Sequence, residues 1–94
     1  MKESFKDVYT YASQALDMIE REKDTNPNYE EIKKLQQIIS KKVLDDNLDL
    51  ERLVEINDYM TILLDSLNHW FFYDNTERYY YDLKSFISWL EKIK

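Results

Sequence analysis

Apolar residues recur at steps of three and four along four stretches of the chain, and short polar breaks separate the stretches. The first is Phe5, Val8, Ala12, Ala15, Leu16 and Ile19, with Tyr9 on one edge and Tyr11 and Met18 on the other. The second is Ile32, Leu35, Ile38, Ile39 and Val43. The third is Leu50, Leu53, Val54, Ile56, Met60, Leu63, Leu64 and Leu67, and the fourth is Tyr79, Leu83, Phe86, Ile87, Leu90 and Ile93. This period marks helices with one buried face, predicted over about 4–23, 28–44, 48–70 and 76–93. Short connections make antiparallel neighbours the default. The expected fold is all-α, a single-domain up-and-down four-helix bundle over 1–94. The alternative is three helices, with the second and third continuous through Asp45–Asn47.

End signals fit this division. Ser4 with Asp7 resembles a capping box. The pattern stops at Lys23, and Asp24-Thr25-Asn26-Pro27-Asn28 reads as a loop around the one proline, which cannot sit inside a helix. Asn26 or Asn28 is expected to cap the second helix, the latter with Glu31 at the box position. Lys41 and Lys42 suit its last turn, where cations meet the negative end of the dipole. Asp45-Asp46-Asn47 reads as a tight connection that offers N-cap oxygens to the third helix. Asp74 with Glu77, or Thr76 alone, caps the fourth. The aromatic run Trp70-Phe71-Phe72-Tyr73 is expected to cross the end of the third helix, with Tyr81 and Trp89 at the outer side of the fourth.

Composition agrees. The 94 residues include no glycine and one proline, whereas a β-fold needs several turns of positive φ that glycine supplies most cheaply. With 44% hydrophobic and 34% charged residues the chain is globular. It has no cysteine, so no disulfide framework or thiolate site, as befits a reducing compartment. MKESFKDVYT lacks an apolar core of signal-peptide length, and no apolar run approaches the roughly 20 residues of a membrane span. A soluble cytoplasmic protein is expected.

Charge singles out one segment. Asp45 to Asp65 holds seven carboxylates and one cation, Arg52, which equals the whole chain's net charge of -6. On a helical wheel Glu51, Glu55, Asp58 and Asp65 line up opposite the apolar stripe, with Ile62 among them and Tyr59 at their edge. The row spans roughly 20 Å at 1.5 Å per residue. Like charges at these spacings repel by a few tenths of a kcal/mol per pair. A sequence shaped for stability alone would place lysines among them.

Catalytic equipment is missing from the sequence. A metal site needs converging His, Cys, Asp or Glu, and there is a single histidine, His69, with Ser66 rather than Glu three residues before it. The Glu-x-x-His motif of metal-binding bundles is therefore not met, and no metal or cofactor is expected. His69 on a bundle raises phosphotransfer, but Trp70 and Phe71 follow where such domains carry lysine and glycine. It reads better as a partly exposed residue near a helix C-terminus. Without glycine no phosphate-cradling loop forms as usual. Direct nucleic-acid binding is disfavoured, because net negative charge repels phosphates, and Lys33-Lys34 and Lys41-Lys42 are balanced locally.

These features lead to a non-enzymatic binder of a basic protein surface. The expected contact residues are Glu51, Glu55, Asp58, Tyr59, Ile62, Asp65, Tyr73 and Tyr81, since strong interfaces set aromatic anchors in a polar surround. A nuclease carries a positive cleft for phosphates, and a helix with carboxylates at regular spacing can occupy it. The small size, absent catalytic groups and acidic, tyrosine-rich face resemble in kind the helical immunity proteins that protect bacteria from toxins. This resemblance implies an antitoxin-like inhibitor of a nuclease-type toxin or another nucleic-acid enzyme, and carries no individual residue across. The other reading is a structural module that forms a homodimer through Trp70–Tyr73, Tyr81 and Trp89.

Overall fold

The computed structural model describes residues 3–22, 27–44 and 48–93, with side chains from Phe5 onward. Four helices follow one another: α1 (Glu3–Arg21), α2 (Tyr29–Leu44), α3 (Leu50–Tyr73) and α4 (Glu77–Lys92). α2 and α3 are separate helices, so the continuous three-helix arrangement is not formed. α1 is already helical at Glu3, one residue before the expected Ser4 cap; the Ser4 side chain, the loop residues Asp24–Asn26 and the Asp45–Asn47 connection fall outside the described residues.

Cross-helix contacts give the topology. Lys42 on α2 meets Asp7 on α1 at 3.4 Å, and Tyr9 near the start of α1 meets Glu91 near the end of α4 at 3.2 Å. Tyr29 at the start of α2 packs edge-on against Trp70 near the end of α3. Neighbours are therefore antiparallel in the ring α1, α2, α3, α4, and the seam between α2 and α3 is the slightest of the four. This is the four-helix bundle the periodicity predicts.

Caps explain most of the ends. Asn28 Oδ1 accepts the amides of Glu30 and Glu31 at 3.1 and 3.3 Å, while the Asn28 amide donates to Glu22 rather than to Glu31. α3 begins two residues later than predicted because Asp49 caps it, accepting the Arg52 amide at 2.9 Å. It also runs on through the aromatic run to Tyr73. It stops at Asp74, whose backbone is left-handed at φ 50°, the only such residue among those described. With no glycine in the chain, a short polar residue takes this conformation at the helix end. Thr76 makes no side-chain cap for α4; Asn75 Oδ1 accepts the Glu77 amide at 2.9 Å instead.

The core contains the predicted residues of α1 and α4, with Leu16 only half-buried, and Ile32, Ile39 and Val43 of α2. One polar group was not anticipated. Gln36 is fully buried, accepts the Tyr79 hydroxyl at 2.6 Å, and aims its amide at Ser40 Oγ and Met60 Sδ. Burial drives the Tyr79 phenol above the ordinary tyrosine range. The larger correction concerns α3. Ile56, Met60, Leu63, Leu67 and Trp70 point inward, but Leu50, Leu53, Val54 and Leu64 are exposed, as is Ile38 on α2. The apolar arc of α3 is too wide for the bundle to cover, so half of it faces solvent.

Candidate interface along the α3 and α4 edge

The period of α3 sets Glu51, Glu55, Asp58, Ile62 and Asp65 on one flank, and that flank faces solvent. Glu51, Asp58 and Asp65 are exposed, Ile62 is 46% exposed and Glu55 is half-buried. The carboxylates are outward as expected, but two of them are not free of cations. Arg52 lies 2.9 Å from Glu55, and Arg78, reaching across from α4, lies 3.2 Å from Asp65. Glu51 and Asp58 have no ion pair among the described residues. The wall of uncompensated anions is thus reduced to half its members. Arg52 is a neighbour in sequence; Arg78 is thirteen residues from Asp65 and only the fold brings it there.

Beside this flank is an open groove of about 330 Å³ lined by Glu55, Asp58, Tyr59, Ile62 and Trp89. A second hollow of about 440 Å³ continues past the same two rings, lined by Tyr59, Tyr81, Lys84, Ser85, Ser88, Trp89 and Lys92. Tyr59 and Trp89 form the shared floor, their ring centroids 5.1 Å apart. Both rings rest on the fully buried Phe86, at 5.6 and 6.1 Å. The Arg52 guanidinium sits 5.8 Å above the Trp89 ring, a cation–π distance. The edge therefore has an acidic lip from α3, an aromatic floor, and a basic lip from α4 at Lys84 and Lys92.

Of the eight sequence-predicted residues, Glu55, Asp58, Tyr59 and Ile62 converge on the first groove and Tyr81 on the second. Glu51 and Asp65 extend the acidic lip without lining either. Tyr73 is apart: it is 72% exposed and its ring lies tilted against the His69 ring, centroids 4.6 Å apart. Trp89, which the sequence assigns to the homodimer reading and not to the basic-partner set, is the residue that the groove adds to that set. Lys84, Ser88 and Lys92 sit at steps of four, a pattern present in the sequence but lost among balanced charges. The aromatic set Trp70–Tyr73, Tyr81 and Trp89 does not form one patch. Trp70 is buried against Tyr29 and Tyr79, and Phe71, Phe72 and Tyr73 are exposed at the end of α3.

The surplus of tyrosine is partly structural. Tyr9 and Tyr80 tie α1 to α4 through hydrogen bonds to Glu91 and Glu20 at 3.2 and 3.0 Å. His69 is half-buried, and its Nδ1 is shielded from solvent with no hydrogen-bond partner. Among the described residues no three His, Cys, Asp or Glu side chains are grouped to hold a metal. No helix among them is long and apolar enough to cross a membrane. Comparison with protein-family models, curated proteins and solved structures finds no match.

Proposed function

We propose that the chain is a non-enzymatic protein-binding inhibitor, of the immunity-protein or antitoxin kind, that acts in the cytoplasm. In this reading the α3–α4 edge takes a basic surface of a nuclease-type toxin. The observation that carries it is the two carboxylates, Glu51 and Asp58, that form no ion pair among the described residues, beside the groove floored by Tyr59 and Trp89. Rigid rings next to free charge combine an apolar anchor with electrostatic steering, the two ingredients of a fast and specific protein complex. A cleft built for phosphates supplies the matching cations. The basic lip at Lys84 and Lys92 adds direction, since a partner must be cationic opposite α3 and acidic or neutral opposite α4.

Affinity capture tests this. The full chain and its Glu51→Lys/Asp58→Lys variant are immobilised and exposed to extract of the source cells. The wild type should retain a basic protein that leaves the column as salt rises to about 0.5 M, where the Debye length falls below ~5 Å. The variant should not retain it, and adding free wild-type chain should suppress the nuclease activity of the eluate. Equal retention by both columns, or a captured protein with no activity toward nucleic acid, overturns the reading.

A further inference from the structure

α3 has a second exposed flank, and it carries no charge. Leu53, Val54, Leu64, Phe71 and Phe72 are 37, 54, 46, 62 and 76% exposed, and between them the solvent-facing positions are Asn57, Thr61 and Asn68. No Asp, Glu, Lys or Arg interrupts this run, although 34% of the chain is charged. Leu50, 77% exposed, continues it toward the start of the helix. Large side chains exposed to this extent present roughly 600 Å² of apolar surface, at the upper end of the largest patch on a typical monomer. A standard interface takes about 800 Å² per partner, which the polar members and rim of this flank would complete.

The central part of the flank is complementary to itself. From Leu53 to Phe72 its positions 53, 54, 57, 61, 64, 68, 71 and 72 are separated by one, three, four, three, four, three and one residues, the same read in either direction, and Leu50 lies beyond this symmetric part. Laid antiparallel on itself, the flank matches Leu53 to Phe72, Val54 to Phe71, Asn57 to Asn68 and Thr61 to Leu64. Apolar groups meet apolar groups at both ends, and amide meets amide between them. A two-fold interface requires such self-complementarity, because residue i meets j and j meets i. We infer that the uncharged flank of α3 is the interface with a second copy of this chain, the two α3 helices lying antiparallel. This does not rest on the basic-partner reading, which uses the adjoining acidic flank about 100° further round the helix.

The symmetry also fixes a response to salt. The axis runs perpendicular to the plane of the two helices, so the acidic flanks of both copies lie on the same side of the seam. Their mutual repulsion is screened as salt rises, and the dimer tightens. Capture of a basic partner does the reverse.

Sedimentation of the full chain from about 1 to 100 µM tests the inference. Dimers should appear in that range, and more fully at about 0.5 M than at about 0.05 M salt. Val54→Glu and Leu64→Glu should each weaken association at least ~10-fold while the helical circular dichroism is kept. Two amide replacements read the orientation. Asn57→Asp/Asn68→Lys places opposite charges across an antiparallel seam and should remain dimeric; Asn57→Asp/Asn68→Asp places like charges there and should be monomeric. A wild type that stays monomeric at 100 µM leaves the flank to some other protein's amphipathic helix, and overturns the proposal. So does a dimer indifferent to Val54→Glu and Leu64→Glu, or one lost in Asn57→Asp/Asn68→Lys.

Discussion

The two exposed flanks of α3 are set on the same helix, yet they differ in how the rest of the molecule treats them. The acidic flank borders α4 and is partly claimed by it: Arg78 reaches over to Asp65, and Trp89 closes the groove beside Asp58 and Ile62. The neutral flank, from Leu53 to Phe72, lies on the side where α3 meets α2 least closely, and its apolar groups stay open. Charge on a surface attracts countercharge from within the fold, so an acidic row seen in a sequence overstates the field that survives folding. Apolar surface has no such internal remedy except burial. The flank that looked less functional is the one left more incomplete.

The largest expected effect separates two adjacent leucines. Leu63 is fully buried and Leu64 is 46% exposed, although periodicity assigns both to the core. Leu63→Ala should destabilise the chain by about 2–5 kcal/mol through lost burial and a residual cavity. Leu64→Ala, measured by urea unfolding at a concentration too low for association, should cost under ~1 kcal/mol. Equal losses would mean that the neutral flank is covered in the monomer.

Next in size is the buried polar contact between α4 and α2. Tyr79→Phe removes the donor to Gln36 Oε1 and leaves a buried acceptor alone, which should cost about 1–3 kcal/mol. Tyr79→Phe/Gln36→Leu should recover part of that loss, because it removes the orphan as well. The raised Tyr79 ionisation adds a sign. A phenol that holds its proton more tightly folded than unfolded contributes stability below the unfolded value, about 10. That contribution fades as pH climbs past it. The wild type should therefore lose stability above about pH 10 more steeply than Tyr79→Phe.

What the chain disclosed in advance follows from these cases. α1 and α4 were legible because their apolar stripes are narrow and their opposite faces polar, so periodicity and burial coincide. α3 was not, because its apolar arc includes Leu53, Val54 and Leu64 as well as Ile56 and Leu63, and a period cannot say which side of a wide arc a neighbour will cover. Glu55, Asp58, Tyr59 and Ile62 were found together because they share one helix face. Trp89 and Arg78 were missed as partners of that face because their nearness depends on how α4 docks. Gln36 was missed because a buried glutamine looks like a surface one until Tyr79 stands opposite.

A smaller effect concerns the residue that ends both flanks. Asp74 holds a left-handed conformation that costs a residue with a Cβ roughly 1 kcal/mol. Asp74→Gly should therefore stabilise the chain by about 0.5–1 kcal/mol, a rise in Tm of several degrees for a domain of this size. An unchanged or lower Tm would mean that the aspartate side chain contributes more to the α3–α4 turn than its backbone costs.

The smallest expected change divides the acidic flank itself. Asp65 is paired with Arg78 while Asp58 has no cation among the described residues. Asp65→Asn loses a solvent-exposed pair and should lower stability by no more than ~0.5 kcal/mol, an effect that fades with added salt. Asp58→Asn removes only repulsion toward Glu51 and Glu55, one or two turns away, and should leave stability unchanged or slightly raised at low salt. Binding should rank them the other way. A partner that seeks free anions loses more from Asp58→Asn than from Asp65→Asn, since the second carboxylate is already committed to Arg78. Thermal unfolding at two salt concentrations and titration with the captured partner give both orders. If Asp65→Asn harms binding more, the compensated part of the flank is what the partner reads, and the pairing with Arg78 must open when the complex forms.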